Sequence, residues 1–304
     1  MRHPLPTINL SDLPVPAVLQ PLEYEVLLAD IVAEFKARWA ALRANRPELP
    51  DYDVQMLETD PAKIVLESAA YIYLIVLGRV NDAAKALMLA TTFGTDLDAF
   101  AADFGLKRIV VPATETTPEY RESDRDFRLR RHLAPDGYAA AGPEDAYRFF
   151  ALSAEPTIKE ALAVKGEANR VDLVLLSRVG TGAVASDAIT RVHEALSPLK
   201  TRPLTDNLYV RSAAIVTTAV RVRLTLLAGG PSQATVVARS KAAIEAYVAE
   251  RNAIGRLLRL DGLIAAARAG NVVERAEVLE PVGDVDPGPF GAVHVTSVTV
   301  EIAP

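Results

Sequence analysis

DPAKIVLESAAYIYLIVLGRVNDAAKALMLATTFG, residues 60–94, is the longest uninterrupted helical pattern in the chain and its most apolar one. Asp60 is a good N-cap, Pro61 suits the first helical turn, no proline follows until Pro112, and Gly94 supplies a C′ stop. An apolar seam runs through Leu66, Ala70, Tyr73, Leu77, Val80, Ala84, Leu87 and Thr91 at helical spacing. At about 1.5 Å per residue the helix is ~50 Å long, more than a small domain needs for its own core. Ile64, Val65, Ile72, Ile75 and Val76 lie off that seam, so the first half is apolar on its other face too and needs cover from two sides. The β-branched residues there weaken intrinsic helicity, and packing must hold the helix, at roughly 1.5–3 kcal/mol per fully buried large side chain. Glu67 and Arg79 bracket the run and leave it short of the roughly 20 apolar residues of a membrane span.

Working outward, residues 22–46 read as a second helix with Leu28, Val32, Phe35, Trp39 and Leu42 on one face, the natural cover for one side of the long helix. Residues 47–53, with two prolines, connect the two. The first 21 residues carry five prolines and no periodicity, which predicts an extended arm over 1–21. After Gly94, Thr95 with Asp98 resembles an acidic capping box that opens a short helix through Leu97, Phe100, Ala101 and Phe104, stopped at Gly105. Residues 22–108 thus read as an all-α bundle domain. Residues 109–122 read as a linker, with a possible strand at Ile109-Val110-Val111 and a Thr/Pro-rich run after it.

Beyond the linker, short helices alternate with strands. Tyr147, Phe150 and Ala151 mark a helix that starts at Gly142-Pro143-Glu144; strands follow at 158–164 and 171–176, then a Ser186-capped helix and a strand at 208–211. A long strand at 214–227 turns at Gly229-Gly230-Pro231 into a helix reaching Asn252. A short strand at 256–260, an Asp261-capped helix to Ala269 and strands at 272–279 and 293–302 complete the chain. The helix-strand-turn-strand order of 143–176 recurs in 263–302. The predicted fold class is α+β: an N-terminal all-α region with one very long helix, then two tandem small units of the split β-α-β type, 123–212 and 213–304.

The composition, 50% hydrophobic and 24% charged over 304 residues, is that of an ordinary soluble globular protein with chain enough for a sizeable core. A net charge of −6 gives no global support for binding nucleic acid. With no cysteine, disulfides, thiolate nucleophiles and Cys-ligated zinc are excluded, which suits maturation in a reducing cytoplasm. Met1-Arg2-His3-Pro4-Leu5-Pro6 offers no continuous apolar stretch, so no secretory signal is expected.

Chemistry-bearing constellations are scarce. His3, His132, His193 and His294 are scattered, without an i,i+4 partner or a nearby carboxylate pair at ligand spacing. No Gly-x-Ser-x-Gly elbow or Walker-type lysine loop occurs, and Gly180-Thr181-Gly182 reads as a strand-to-helix turn. Asp124 and Asp126, among arginines, read as a solvated charged turn ahead of an acid/base pair. Arg121, Arg125, Arg128, Arg130 and Arg131 form the sharpest basic cluster; only Phe127 interleaves it, which favours salt-bridged protein contact over a nucleic-acid groove. Trp39, Tyr71 and Tyr73 sit on helical faces and suit core or partner packing. No catalytic, cofactor-binding or metal-ligating residue is expected. The pattern is that of an assembly component more than an enzyme.

Five stretches carry a resemblance: Gly94-Thr95-Asp96-Leu97-Asp98, Phe104-Gly105-Leu106-Lys107-Arg108, Glu122-Ser123-Asp124-Arg125-Asp126-Phe127-Arg128, Ala141-Gly142-Pro143-Glu144-Asp145-Ala146-Tyr147 and Arg202-Pro203-Leu204-Thr205-Asp206. In order and spacing they resemble the baseplate J-like protein family, from the baseplate wedges of contractile-tailed phages and phage-tail-like bacteriocins. The resemblance implies a structural virion protein of the tail baseplate, assembled in the host bacterial cytoplasm, present as two copies per wedge and twelve per baseplate. It implies N-terminal helices that bundle with a smaller wedge protein, C-terminal units that join wedges into a six-fold ring around the spike and tube, and other baseplate proteins as partners, with no nucleic acid, membrane or cofactor. Larger members carry a β-rich insertion near the linker, for which residues 112–122 leave no room. The candidate helix-bundle interface is Trp39, Leu66, Tyr73, Leu77, Val80 and Leu87, with residues 214–304 making ring contacts. The alternatives are a cytoplasmic α+β enzyme on a small molecule, using carboxylates around Asp124 and Asp126, and a monomeric helix-binding adaptor.

Overall fold

The computed structural model describes residues 16–50, 60–113, 119–139, 142–167, 169–197, 203, 206–227, 231–269 and 272–303. Expectations for the arm before Pro16, for 51–53 and for the Thr/Pro run at 114–118 lie outside the described residues. The chain divides into two compact units, Met1–Arg108 and Ile109–Pro304.

The first unit is helical: α1 (Tyr24–Asn45), α2 (Pro61–Ala86) and α3 (Gly94–Ala102). Asp60 caps α2 through Oδ1, which accepts the Ala62 N–H at 2.8 Å, with Pro61 in the first turn. The helix stops at Ala86, about two turns short of the 60–94 pattern, so Leu87 and Thr91 of the seam lie beyond it. The Lys85 carbonyl accepts both the Met88 N–H at 3.2 Å and the Thr91 hydroxyl at 2.8 Å. A threonine hydroxyl thereby competes with the helical ladder and tightens it into turns. Gly94, at φ 56°, opens α3 instead of ending α2. Phe93 and not Thr95 stands at the N-cap of α3, and the Asp98 carboxylate, expected to close a capping box, is held by Arg108 at 2.7 Å. Gly105, at φ 67°, ends α3 in a Schellman closure, with Leu106 N–H on the Ala101 carbonyl and its own N–H on Ala102.

The core of this unit is thin. No residue of α1 is buried, and of α2 only Ala70 and Asn81 are. Asn81 holds the approach to α1: its Oδ1 accepts the Gln20 N–H at 2.9 Å and its Nδ2 donates to the Gln20 carbonyl at 2.8 Å. One amide side chain thus pairs with both sides of a backbone residue, as a neighbouring strand would.

The second unit begins with a two-stranded antiparallel ribbon, β1 (Val110–Val111) and β2 (Tyr120–Arg121), inside the stretch read as linker. Where a solvated charged turn was expected there is a helix, α4 (Asp124–Leu133), capped by Ser123 Oγ on the Asp126 N–H. Phe127, Arg130 and Leu133 are buried along one side of it. The charge that disguised this helix is internal: Arg130 meets Glu122 at 2.7 Å with side chains 5% and 4% exposed. Glu122 Oε2 also accepts the Ile109 N–H at 2.9 Å, tying helix, ribbon and segment start together.

Two three-stranded sheets follow. α5 (Glu144–Ala154) leads into β3 (Ile158–Lys165) and antiparallel β4 (Arg170–Ser177); α6 (Ser186–Leu196) then crosses over to β5 (Asn207–Ser212), parallel to β4. In the second sheet β6 (Ala214–Leu226) is central, α7 (Gln233–Arg251) and α8 (Leu260–Ala267) follow it, and β7 (Val273–Glu280) and β8 (Gly291–Ile302) flank it, antiparallel and parallel respectively.

The parallel strands are direct neighbours in both sheets, so the split β-α-β arrangement, with a strand between them, is not adopted. The recurrence of element order also does not carry over to pairing. β3 and β4 bond each other, whereas β7 and β8 each bond the 13-residue β6, long enough to serve both. The expected strand at 256–260 reduces to one bridge, Leu258 to Val285. α8 starts at Leu260, whose N–H goes to Asp284, and α6 is preceded by Ala185 at its N-cap, not Ser186.

Each sheet packs its helices on a core of its own, Leu173, Leu175, Val192 and Leu196 in the first and Val222, Leu224, Ile244 and Leu263 in the second. A third cluster of Val174, Leu176, Ala213, Ile254 and Ala292 joins the two, with Ala213 alone between β5 and β6.

Two outcomes follow from these contacts. Asn81→Ala removes two hydrogen bonds, together about 1–3 kcal/mol, so amide exchange at Gln20 should accelerate roughly tenfold or more while α2 keeps its protection. Glu122→Ala leaves Arg130 buried without its counter-charge and should cost about 3–5 kcal/mol in urea unfolding of the full chain.

Candidate functional site

At about 100° per residue, Leu66, Ala70, Leu77 and Asn81 share one narrow stripe of α2; the first and third are half-buried, and Ala70 and Asn81 are the buried residues of the helix. Ile64, Val65, Ile72, Ile75 and Val76 lie on the opposite side within an arc of about 120°. They are 48–66% exposed. Five large aliphatic side chains in one continuous exposed stripe exceed the scatter of single apolar residues that any surface carries. Tyr71, 59% exposed, extends the stripe along one margin, and the charged Arg79 and Asp82 lie in the same arc at its C-terminal end. α1 packs against α2 but has no buried residue, so the helix pair is covered on one flank and open on the other.

By length and composition α2 also qualifies as a bilayer-crossing helix. A span of about 20 residues would have to take in Glu67 and Arg79, which bracket the apolar run, and each would be costly at bilayer depth. The side chain of Asn81 is engaged by the chain's own backbone.

The six residues proposed from the sequence fall into two groups. Trp39 is half-buried, stacks on Phe35 at 6.2 Å between centroids, and donates Nε1–H to the Pro50 carbonyl at 3.1 Å, so it is tied into its own unit. Leu66 and Leu77 are half-buried on the packed stripe of α2. Tyr73 and Val80 are each 48% exposed, and Leu87, past the helix end, is 76% exposed. The stripe of Ile64, Val65, Ile72, Ile75 and Val76 was absent from that set. The signal for it was present: residues apolar but off the seam are those that a single covering helix leaves uncovered.

The candidate carboxylates are engaged. Asp126 holds Arg178 at 2.7 Å, and Arg178 also donates to the carbonyls of Pro156 and Ile158 and lies 4.8 Å over the Tyr120 ring. Burial raises the pKa of the Tyr120 phenol against the opposing effect of Arg178. Arg178 thus fastens the ribbon, α4 and the ends of β3 and β4. Of the basic cluster, Arg130 is in the buried pair with Glu122. Among the described residues, no three or more His, Asp or Glu side chains gather where they could hold a metal ion. His193 contacts Ser197 one turn on, and His3 lies outside the described residues.

Distant stretches singled out in the sequence meet in space. Gly142 has φ 60°, and a Cβ there would come within 2.5 Å of Pro203 Cδ. The Tyr147 hydroxyl donates to Asp206. Glycine is therefore required both by the backbone and by the approach of Pro203. Together with Asp98 on Arg108 and Glu122 on Arg130, these contacts engage residues of the five quoted stretches within their own unit.

Comparison with known proteins agrees with this reading. The Baseplate J-like N-terminal domain family matches residues 58–115, which include α2 and α3. Baseplate protein J of Escherichia phage P2 is 33% identical over 286 residues, covering 92% of this chain and 93% of that protein. The cryo-EM baseplate of the anti-feeding prophage includes a chain that aligns at 12% identity over 60% of this chain and 44% of its own length, with a TM-score of 0.40, too loose to inform the fold. With a third of its residues shared across nearly its whole length, the chain belongs to the baseplate J-like protein family.

Proposed function

We propose that the protein is a structural component of the baseplate of a contractile phage tail or phage-tail-like bacteriocin. Its helices pair with a smaller wedge protein, and its second unit joins neighbouring wedges into a six-fold ring around the spike and tube, with two copies per wedge. The observation that carries this reading is the uncovered apolar stripe of α2. Since about half of each side chain is still exposed, burying the five against foreign helices is worth roughly 4–8 kcal/mol before the cost of association.

Ile72, Ile75 and Val76 are the proposed bundle contact, with the half-exposed Tyr73 and Val80 on the flank between the two stripes and Leu87 beyond the helix end as further contacts; Trp39, Leu66 and Leu77 shape the unit from within. Ring contacts are assigned to residues 214–304. Support comes from the character of β8, which is 12 residues long, β-branched at most positions and lies at a sheet edge without lysine or proline to blunt it. The protein's place is the virion tail baseplate, reached by assembly in the host cytoplasm.

The test is co-expression of the full chain with the proteins encoded beside it. Ile72→Asp with Val76→Asp, both at exposed positions, should preserve helicity by circular dichroism yet lose co-purification of the smaller wedge protein. Co-purification at normal stoichiometry would overturn the bundle assignment. Thr296→Lys with Thr299→Lys, at exposed positions of β8, should leave that pairing intact and stop growth to higher assemblies by native mass measurement; rings of unchanged mass would remove the ring assignment.

A further inference from the structure

We infer that the junction between the two sheets of the second unit is a binding site for one small oxyanion, a carboxylate group or inorganic phosphate, with Lys159 as its principal ligand. A cavity of about 250 Å³ opens there, bordered by Asp126, Lys159, Arg178, Thr181, Asn252 and His294. These residues come from α4, from both sheets and from the loops after β4 and α7, so the site exists only because the two sheets dock.

The ammonium of Lys159 is fixed at the cavity wall. Its Nζ donates to the Asn252 carbonyl at 2.6 Å and to Asn252 Oδ1 at 2.7 Å. Asn252 is itself held by a hydrogen bond from Nδ2 to the Val293 carbonyl at 2.8 Å, so the acceptor pair cannot swing away. A lysine ammonium has three donors, and two are satisfied here by neutral oxygens. Among the described residues, no carboxylate lies within 4.0 Å of Nζ.

The nearest carboxylates are already engaged. Glu160 accepts the Ile254 N–H at 3.0 Å, and Asp126 is paired with Arg178. A half-buried cation that lacks a counter-ion is costly, and burial accordingly lowers the Lys159 pKa, with Glu160 only partly opposing. Of the charged groups that act on Lys159, Arg178 and Arg125 offset Asp126 and Glu160, which leaves the ammonium's own charge uncompensated. A single oxyanion supplies the missing charge and accepts the third N–H. The loop at Gly180 and Gly182, both at positive φ, carries Thr181 to the rim, where its hydroxyl can donate as well.

The experiment is thermal unfolding of the full chain in sodium phosphate or sodium acetate, against sodium chloride at matched ionic strength. A saturable rise in Tm over chloride is expected, since a ligand that binds only the folded state stabilises it by mass action. A response to acetate identifies a carboxylate site, and a response to phosphate alone a phosphate site. Lys159→Met should weaken the apparent affinity at least about tenfold while leaving the anion-free Tm equal or higher, because it removes an uncompensated buried charge. The ring proton shifts of His294 in the unmodified protein give a readout independent of any variant and should move with the same titration curve. Absence of a saturable effect beyond chloride, unmoved His294 shifts, or an undiminished response in the Lys159→Met chain would each overturn the assignment.

Discussion

A helix with two apolar flanks can bury only one of them against a single neighbouring helix. That constraint governs the first unit. α2 turns Leu66, Ala70, Leu77 and Asn81 to its packed side, and what remains is a stripe of branched aliphatic residues facing solvent. Such a stripe is a poor choice for a free-standing domain, because the same surface buried in a core would contribute several kcal/mol. It suits the proposed pairing with foreign helices, in which, with so few buried residues in α1 and α2, most of the unit's apolar gain would fall.

The second unit obeys the opposite economy. β4 is buried along almost its whole length, Asp172 to Ser177, with Leu173 and Leu175 facing one cluster and Val174 and Leu176 another. A strand covered on both faces commits the surrounding elements to a fixed arrangement, since either face would be left unsatisfied if its cover moved. The second cover is provided by Ala213, Ile254 and Ala292 from the other sheet. With one residue between β5 and β6, the two sheets behave as one body, and polar groups at their junction, Lys159 and Asn252 foremost, are held to fixed positions.

Much of this was legible in the sequence and the failures share physical causes. The strands at 158–165, 170–177, 207–212 and 214–226 declared themselves by short apolar or alternating runs between turn residues, β-branched in the last, and α2 began where Asp60-Pro61 said it would. Its end was misplaced because Thr91 captures a carbonyl through its side chain, a choice that periodicity does not register. α4 was hidden because one of the three residues on its inward face is an arginine, and burial of Arg130 depends on Glu122, eight residues away and before the helix. Strand pairing was misread because element order is local, whereas the choice of β6 as shared centre depends on contacts 47 to 78 residues apart. The apolar stripe was visible as a pattern, but deciding which of two greasy flanks would stay open required knowing where α1 lies.

The contrast between the units bears on how such a component works. An interface made of aliphatic side chains on a helical surface is non-directional and tolerates small shifts in register, because dispersion and hydrophobic contacts degrade gradually with displacement. The junction of the two sheets is directional: an ammonium held by two oxygens of one asparagine, and a guanidinium shared among Asp126 and two carbonyls, lose their value within a fraction of an ångström. Adaptable contact is therefore concentrated in the first unit and fixed geometry in the second. Under the proposed function, recruiting partners would draw on the first property and holding a repeating position among them on the second, and the chain carries the two on separate units.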